Sequence, residues 1–315
     1  MTDTTHLNLN LEEVPCPVCG AANHRPVVSA PDFETPYTNL FQVVQCTDCT
    51  MIYTSPRPCT DDLFRYFYQD NYVCYTQSGL ADTIRENYLC KSRYAALKHL
   101  IPENGRFLDV GCSFGYFLSY LQENTLWEAY GCEPNHDMAS RAIQKGLSVQ
   151  AKTLVQAAYP SDYFDLVYMS HVLEHVPDLK ETVQEVFRIL KPGGLFITEN
   201  PDVDAPIRKP FGPSWWGYHL PRHLSHFSHD SIRCLLSMEG FDIKHIKPCF
   251  RPGPIAWSVQ NFLKTKKIPD PVCSFFGVQN PIFVALCGIP ALFYLKGGHT
   301  DMMETTAQKP LGDLS

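Results

Sequence analysis

Between positions 106 and 248 short apolar runs alternate with stretches whose apolar residues recur every three or four positions. The runs 106–110, 129–132, 164–169, 195–199 and 241–246 have strand length. The stretches 135–145, 178–190 and 230–239 have helix length. This alternation is the pattern of repeated βα units, so it predicts an α/β domain built on a parallel sheet. Lys191-Pro192-Gly193-Gly194 reads as a helix stop and turn before the strand at 195–199. Residues 15–55 are rich in Cys, Pro and Thr, with β-type runs such as Phe41-Gln42-Val43-Val44-Gln45. Residues 56–100 look helical and aromatic, with Tyr66, Phe67, Tyr68, Tyr72 and Tyr75 close together. Behind Pro252 lie the apolar run 282–295 and a possible last strand at 302–307. The expected organisation is therefore 1–55, 56–100, 101–250 and 251–315.

Composition narrows the class. The 315 residues, 44% hydrophobic and 19% charged, describe a globular chain with room for one large domain and one small one. A net charge of −7 opposes extended contact with a nucleic-acid backbone, so nucleic acid is not an expected partner. The first fourteen residues are polar and carry no export signal, so a cytoplasmic protein with reduced thiols is expected. The run 282–295 is short for a membrane span and contains Pro290. It reads as a buried helical hairpin; the other reading is peripheral contact with a lipid interface or a greasy substrate. Nothing in the sequence speaks to oligomeric state.

Two CxxC pairs, Cys16-Pro17-Val18-Cys19 and Cys46-Thr47-Asp48-Cys49, stand twenty-six residues apart. Each puts two thiolates on one tight turn, and two such turns complete a tetrahedral sulfur cage that suits zinc. Gly20 fits a turn that needs positive φ. A redox dithiol would sit at a strand-to-helix junction, and neither pair does. With all four ligands cysteine the site would be closed, hence structural rather than catalytic.

The stretch Phe107-Leu108-Asp109-Val110-Gly111-Cys112-Ser113-Phe114-Gly115-Tyr116 carries the most chemistry. An apolar strand ends in an acidic residue, turns through two glycines and enters a helix. Gly111 would allow the sharp turn, and Gly115 would let a ligand lie against the helix start. A dinucleotide loop wants glycine at 113 and 116, where Ser113 and Tyr116 stand. Asp109 would repel a pyrophosphate but suits the sulfonium and ammonium of S-adenosylmethionine (SAM). Glu133, closing the next strand, can accept hydrogen bonds from both hydroxyls of a ribose.

Together with Glu133 and with 164–176, which includes Ser170-His171 and Glu174-His175, this stretch resembles the class I SAM-dependent methyltransferase family. The likeness covers about 85–250. It extends to ubiquinone-type O-methyltransferases, and to nucleotide-sugar C-methyltransferases that carry an N-terminal four-cysteine ribbon. The resemblance implies an α/β fold: a Rossmann-like seven-stranded sheet with SAM across the strand ends, and a small zinc ribbon in front. It implies Asp109, Gly111 and Gly115 around the methionine moiety, Glu133 on the ribose, and Ser170 and His171 near the methyl donor. Many members place an acidic residue against the adenine amino group. Here that place reads Ala151-Lys152-Thr153-Leu154, which leaves backbone or Thr153 for the contact.

After the run at 195–199 comes Trp215-Trp216-Gly217-Tyr218-His219-Leu220-Pro221-Arg222-His223-Leu224-Ser225-His226. Aromatics beside histidines suit a pocket that binds an acceptor and takes a proton from it. The candidate bases are His223 first, then His219 and His175; the alternative is that these histidines only satisfy loop backbone. A catalytic metal on His219 and His223 is disfavoured by Pro221 between them. The expected function is methyl transfer to a small-molecule, sugar or lipid-linked acceptor. The alternatives are an RNA methyltransferase using its ribbon on nucleic acid, and a non-catalytic SAM-binding protein.

Overall fold

The computed structural model describes residues 5–68 and 79–312; Tyr72 and Tyr75 lie outside the described residues. The N-terminal part contains β1 (Leu11–Glu12), β2 (His24–Pro31), β3 (Leu40–Cys46), β4 (Ile52–Thr54) and β5 (Arg57–Pro58). Two helices follow, α1 (Thr60–Phe67) and α2 (Gly79–Leu97). The βα repeat then runs β6 (Arg106–Val110), α3 (Tyr116–Asn124), β7 (Glu128–Cys132), α4 (His136–Gln144), β8 (Ser148–Gln150), α5 (Leu154–Ala157), β9 (Phe164–Ser170), α6 (Leu179–Ile189) and β10 (Leu190–Pro201). Beyond it come α7 (Arg208–Phe211), β11 (Ser225–His226), α8 (His229–Met238), β12 (Asp242–Pro248), α9 (Gly253–Thr265), α10 (Asp270–Phe275), α11 (Pro281–Lys296) and β13 (Met302–Gln308).

Seven strands form the main sheet in the order β12-β13-β10-β9-β6-β7-β8. The central pairs are parallel, while β13 is antiparallel to both β10 and β12. The central strands are apolar on both faces because helices cover both. Leu108, Val167 and Phe196 pack toward α6 and α8, whereas Phe107, Leu166 and Ile197 pack toward α2, α3 and α4. Helix starts are capped locally: Asn135 accepts from the N–H groups of Asp137 and Met138, and Ser228 forms a capping box with Ser231. Lys191–Gly194 is not a free turn. β10 already begins at Leu190, opposite Phe164, and a bulge carries it to the Leu195–Leu166 pair.

The cysteine-bearing sheet is completed from far along the chain. Its order is β11-β4-β3-β2, so Ser225 and His226 of the histidine-rich segment pair with Tyr53 and Ile52. Beside this seam the buried Arg222 guanidinium donates to both oxygens of Asp32, at 2.9 and 3.2 Å, and to the Phe67 carbonyl at 2.8 Å. Glu34 lies 3.3 Å away.

The apolar run at 282–295 corrects one expectation. It is a single helix that continues through Pro290, not a buried hairpin. Its packing partner is α9: Cys287 and Ala291 meet Ile255 and Ala256, and the opposite face points to solvent. A hairpin would have needed the run to fold on itself, and a separate helix already covers the side that is buried. No described helix is long and apolar enough to cross a membrane.

Candidate functional site

β6 is flanked by β7 on one side and β9 on the other, so the chain leaves it in both directions and a crevice opens at their C-terminal ends. A cavity of about 610 Å³ occupies that crevice. This is within the range of pockets that enclose small organic ligands. Gly111, Ser113, Glu133, Met138, Thr153, Leu154, Ser170, His171 and His175 line it, and Leu63, Phe64 and Tyr68 from α1 and its end form part of the wall.

The turn after β6 is left-handed at three residues, with φ of 71° at Gly111, 51° at Ser113 and 73° at Gly115. A Cβ on Gly111 would come within 2.5 Å of Val172, and one on Gly115 within 2.4 Å of Leu147 and 3.1 Å of Ala142. A side chain on Gly115 would therefore clash with the next βα unit, and Gly115 is not among the residues that line the cavity. Ser113 takes a backbone region that favours glycine, at a strain of about 1 kcal/mol. Its N–H then donates to Glu133 Oε2 at 3.0 Å.

Glu133 is held from both sides, since its Oε1 accepts from the Asn135 N–H at 2.9 Å. Burial raises its carboxyl above the ordinary range, and those two N–H groups oppose the rise. A carboxylate offers about four lone-pair sites, so two remain for hydroxyls in the cavity. Asp109 is buried on β6 and does not line the cavity. Burial pushes its carboxyl up to about 7; Arg93 of α2 works against that and the Glu133 charge adds to it. Arg93 itself sits over the rings of Phe117 and Tyr168, at 5.0 and 4.9 Å. Ser170 donates to Glu199 Oε2 at 2.9 Å, and Arg251 reaches both Glu199 oxygens at 3.2 Å. Arg93, Glu199 and Arg251 were missed in the sequence because no motif or spacing links them. Thr153 caps α5, its hydroxyl accepting from the Gln156 N–H at 3.3 Å.

The histidines divide sharply. His175 lines the cavity, and its Nδ1 lies 2.9 Å from the Tyr68 hydroxyl and 3.1 Å from the Arg222 carbonyl. Burial lowers it to about 4, against the opposing pull of Glu174. His171 also lines the cavity, in a left-handed conformation with φ 56°, and its Nδ1 is 3.3 Å from Glu174 Oε1. His223, the first sequence candidate, stands behind His175 at a ring separation of 4.6 Å; it is buried and does not reach the cavity wall. Its Nδ1 is 2.8 Å from the Gly217 carbonyl, and burial depresses it strongly. His219 is likewise off the wall, with Nε2 3.2 Å from Glu34 Oε1. Glu174 is fully buried beneath this group, and its Oε2 accepts from Asn200 at 2.8 Å. Glu174, His175 and His223 each offer a ligand-type atom within 4.8 Å of the others. That closeness lets the carboxylate steady an imidazolium, as an acid does behind a catalytic histidine.

The two CxxC turns meet as the spacing predicts. The sulfurs of Cys16 and Cys49 are 3.4 Å apart, those of Cys19 and Cys46 are 3.6 Å apart, and all four lie within 4.8 Å of one another. No pair among them is bonded. A tetrahedral zinc with sulfur at 2.3 Å needs sulfurs about 3.8 Å apart, so the set fits zinc. The Asp48 N–H points at Cys46 Sγ, at 3.4 Å, which favours a thiolate.

A family model described as a methyltransferase domain matches residues 82–246, just over half of the chain. The chain belongs to that family. The methyltransferase domain, of the class I SAM-dependent kind, thus includes the whole βα repeat, the histidine-rich segment and most of the cavity wall, while Leu63, Phe64 and Tyr68 of that wall precede it. The four CxxC cysteines precede the matched span and α9–α11 follow it. Sterol 24-C-methyltransferase erg6 of Aspergillus fumigatus is 33% identical over 111 residues, which are 33% of this chain and 29% of that protein. Human mitochondrial arginine-hydroxylase NDUFAF5 is 32% identical over 113 residues, 34% of this chain and 32% of that protein. The chain spans about a third of the length of these two curated relatives. Cycloartenol-C-24-methyltransferase of Arabidopsis thaliana is 24% identical over 200 residues, 58% of each. Among solved structures, a SAM-dependent methyltransferase from Archaeoglobus fulgidus aligns with a TM-score of 0.49 and 20% identity, covering 71% of this chain and 94% of that one.

Proposed function

We propose that this protein transfers the methyl group of SAM to a small-molecule, sugar or lipid-linked acceptor, in a cytoplasmic biosynthetic step. The observation that carries the reading is Glu133, fixed by the N–H groups of Ser113 and Asn135 at the mouth of the switch-point cavity with lone pairs to spare. In this reading Glu133 takes the ribose hydroxyls and the Gly111–Ser113 turn borders the methionine moiety. Thr153 and its neighbours stand at the adenine end, Ser170 and His171 near the methyl group. Bound SAM supplies an electrophilic methyl carbon on a positive sulfur. Asp109 and Glu133 are carboxylates whose ionisation burial disfavours, so a cationic ligand is the kind that stabilises them. Sterol and cycloartenol methyltransferases among the relatives support an apolar or lipid-linked acceptor.

The test is calorimetry with SAM. Each hydrogen bond to a charged group is worth about 1.5–3 kcal/mol, so Glu133→Ala should weaken SAM binding by about 100-fold. Asp109→Ala should weaken it as well, through the lost charge. Unchanged affinity in both variants would remove this assignment of the loop.

Of the candidate bases, His175 suits the proton transfer best, because it lines the cavity with Tyr68 while Glu174 stands ready to balance its charge. His223 and His219 then act from behind, as positioning residues. Methyl transfer needs donor and acceptor collinear and dry, and the apolar α1 wall serves that need. His175→Ala should lower turnover about 100-fold while leaving SAM affinity within about twofold. A histidine lowered to about 4 is neutral at physiological pH and becomes protonated as pH falls. Turnover through it should stay level near neutrality and drop only as the pH approaches that value. A variant with wild-type turnover, or one whose SAM affinity collapses in parallel, would take this role away. The four cysteines would hold one structural zinc per chain. Supplying labelled SAM to cell extract would show which molecule takes the methyl group.

A further inference from the structure

α11 is apolar all round, and only one side of it is covered. From Pro281 to Leu295 it holds no charged residue. Its buried side rests on α9, whereas Ile282, Leu286, Ile289 and Phe293 stand 57–75% exposed at spacings of four, three and four, with Lys296 next in the same register. α10 extends the surface: Val272 and Phe275 are exposed, and Phe276 packs edge-on against Phe283 at 5.2 Å, joining α10 to the start of α11. A helix that is apolar all round belongs in a core or against lipid, and this one lies in neither core cluster of the main sheet.

Charge indicates what covers it. Residues 252–300 carry Lys264, Lys266, Lys267 and Lys296 against Asp270 alone, a local excess of +3 in a chain of net −7. Lys266 and Lys267 are exposed just before α10, and Lys296 is exposed at the end of α11. Lysines flanking an exposed apolar stripe match an anionic lipid surface, where the helix lies in the plane of the headgroups. A two-fold contact with a second copy would instead bring the stripes and their lysines toward their own kind. A protein partner would be expected to meet polar rim groups, and the stripe offers none before Lys296.

We infer that the α10–α11 face docks on an anionic bilayer, with α11 lying flat along about 24 Å of its surface. The docked unit is coupled to the histidine cluster through α9. Trp257 on that helix packs against Trp216 and His219, at ring separations of 5.9 and 5.3 Å. Docking on the bilayer is independent of the identity of the methyl acceptor.

The experiment is co-sedimentation of the full chain with phosphatidylcholine vesicles, with and without phosphatidylglycerol. The wild type should sediment with the anionic vesicles. Ile289→Glu with Phe293→Glu should abolish this, because each apolar side chain entering the bilayer is worth a factor of about ten or more. Lys266→Glu with Lys267→Glu should cost about fivefold per lysine and remove most of the salt dependence. All these side chains are exposed, so SAM affinity should be unchanged; this also separates failure of docking from failure of the methyltransferase reading. Wild type that stays in the supernatant with both vesicles would overturn the inference, as would full binding by the Ile289→Glu, Phe293→Glu variant. A wild-type dimer that ignores vesicles and becomes monomeric in that variant would show that a second copy covers the face instead.

Discussion

Cys46→Ser is expected to yield protein without stoichiometric zinc, and either insoluble or melting more than about 10 °C below wild type. Cys46 ends β3, and it is buried in one continuous core with Cys16, Val18, Met51 and Tyr53 on one side and residues of the main sheet on the other. Zinc held by small sulfur-ligand domains contributes about 10–16 kcal/mol, as much as the whole stability of an ordinary domain. Without a shared metal, the two cysteine turns, whose sulfurs stand 3.4–3.6 Å apart, would be held together by the surrounding core alone. The damage would not stay in the ribbon, because β4 pairs with β11 and the histidine segment hangs on that strand. Metal analysis and thermal unfolding of the purified variant provide the check. Zinc-free protein with a wild-type melting point would show that the cluster has no structural role.

Arg222→Met is expected to cost about 3–5 kcal/mol, since removing one member of a buried ion pair leaves the other charged and unpaired. Both Arg222 and Asp32 are about 1% exposed at their side chains. The same guanidinium ties down the Phe67 carbonyl, and the Arg222 backbone carbonyl lies 3.1 Å from His175 Nδ1. Melting temperature should therefore fall by roughly 10 °C, and turnover should fall with it even for the fraction that stays folded. Adding Asp32→Leu should recover part of the loss, because an apolar pair needs no counter-charge. Recovery would remain partial while Glu34 stands 3.3 Å from the vacated position. Arg222→Met at wild-type stability would mean that the surrounding dipoles, not the guanidinium, hold Asp32 in place.

Part of the candidate site was legible because its signals are local. Strand ends, left-handed turns and CxxC spacing depend on neighbours a few residues away, so Asp109, Gly111, Glu133 and the four cysteines could be singled out from the pattern alone. The order of the histidines was not legible. His223 and His219 sit in the more suggestive stretch, yet His175 lines the cavity, because exposure is decided by Trp216, Arg222 and α1 packing from elsewhere. Gly115 was singled out as room for a ligand at the helix start; that a side chain there would also meet Leu147 and Ala142 was not legible, because those residues come from the next βα unit.

The sequence by itself determined the alternation of strand and helix, the sulfur cage, and the acidic residues at two strand ends, all of which follow from short-range sterics and periodicity. Only the tertiary structure decided that β13 slots between β10 and β12, that β11 joins the cysteine-bearing sheet, and that Arg93, Glu199 and Arg251 converge behind the cavity. Those pairings join residues far apart in the chain, and no local pattern encodes which distant edge or charge will satisfy them. The bare face of α11 is of the same kind: its apolar run was visible, but which side α9 would cover was settled by packing.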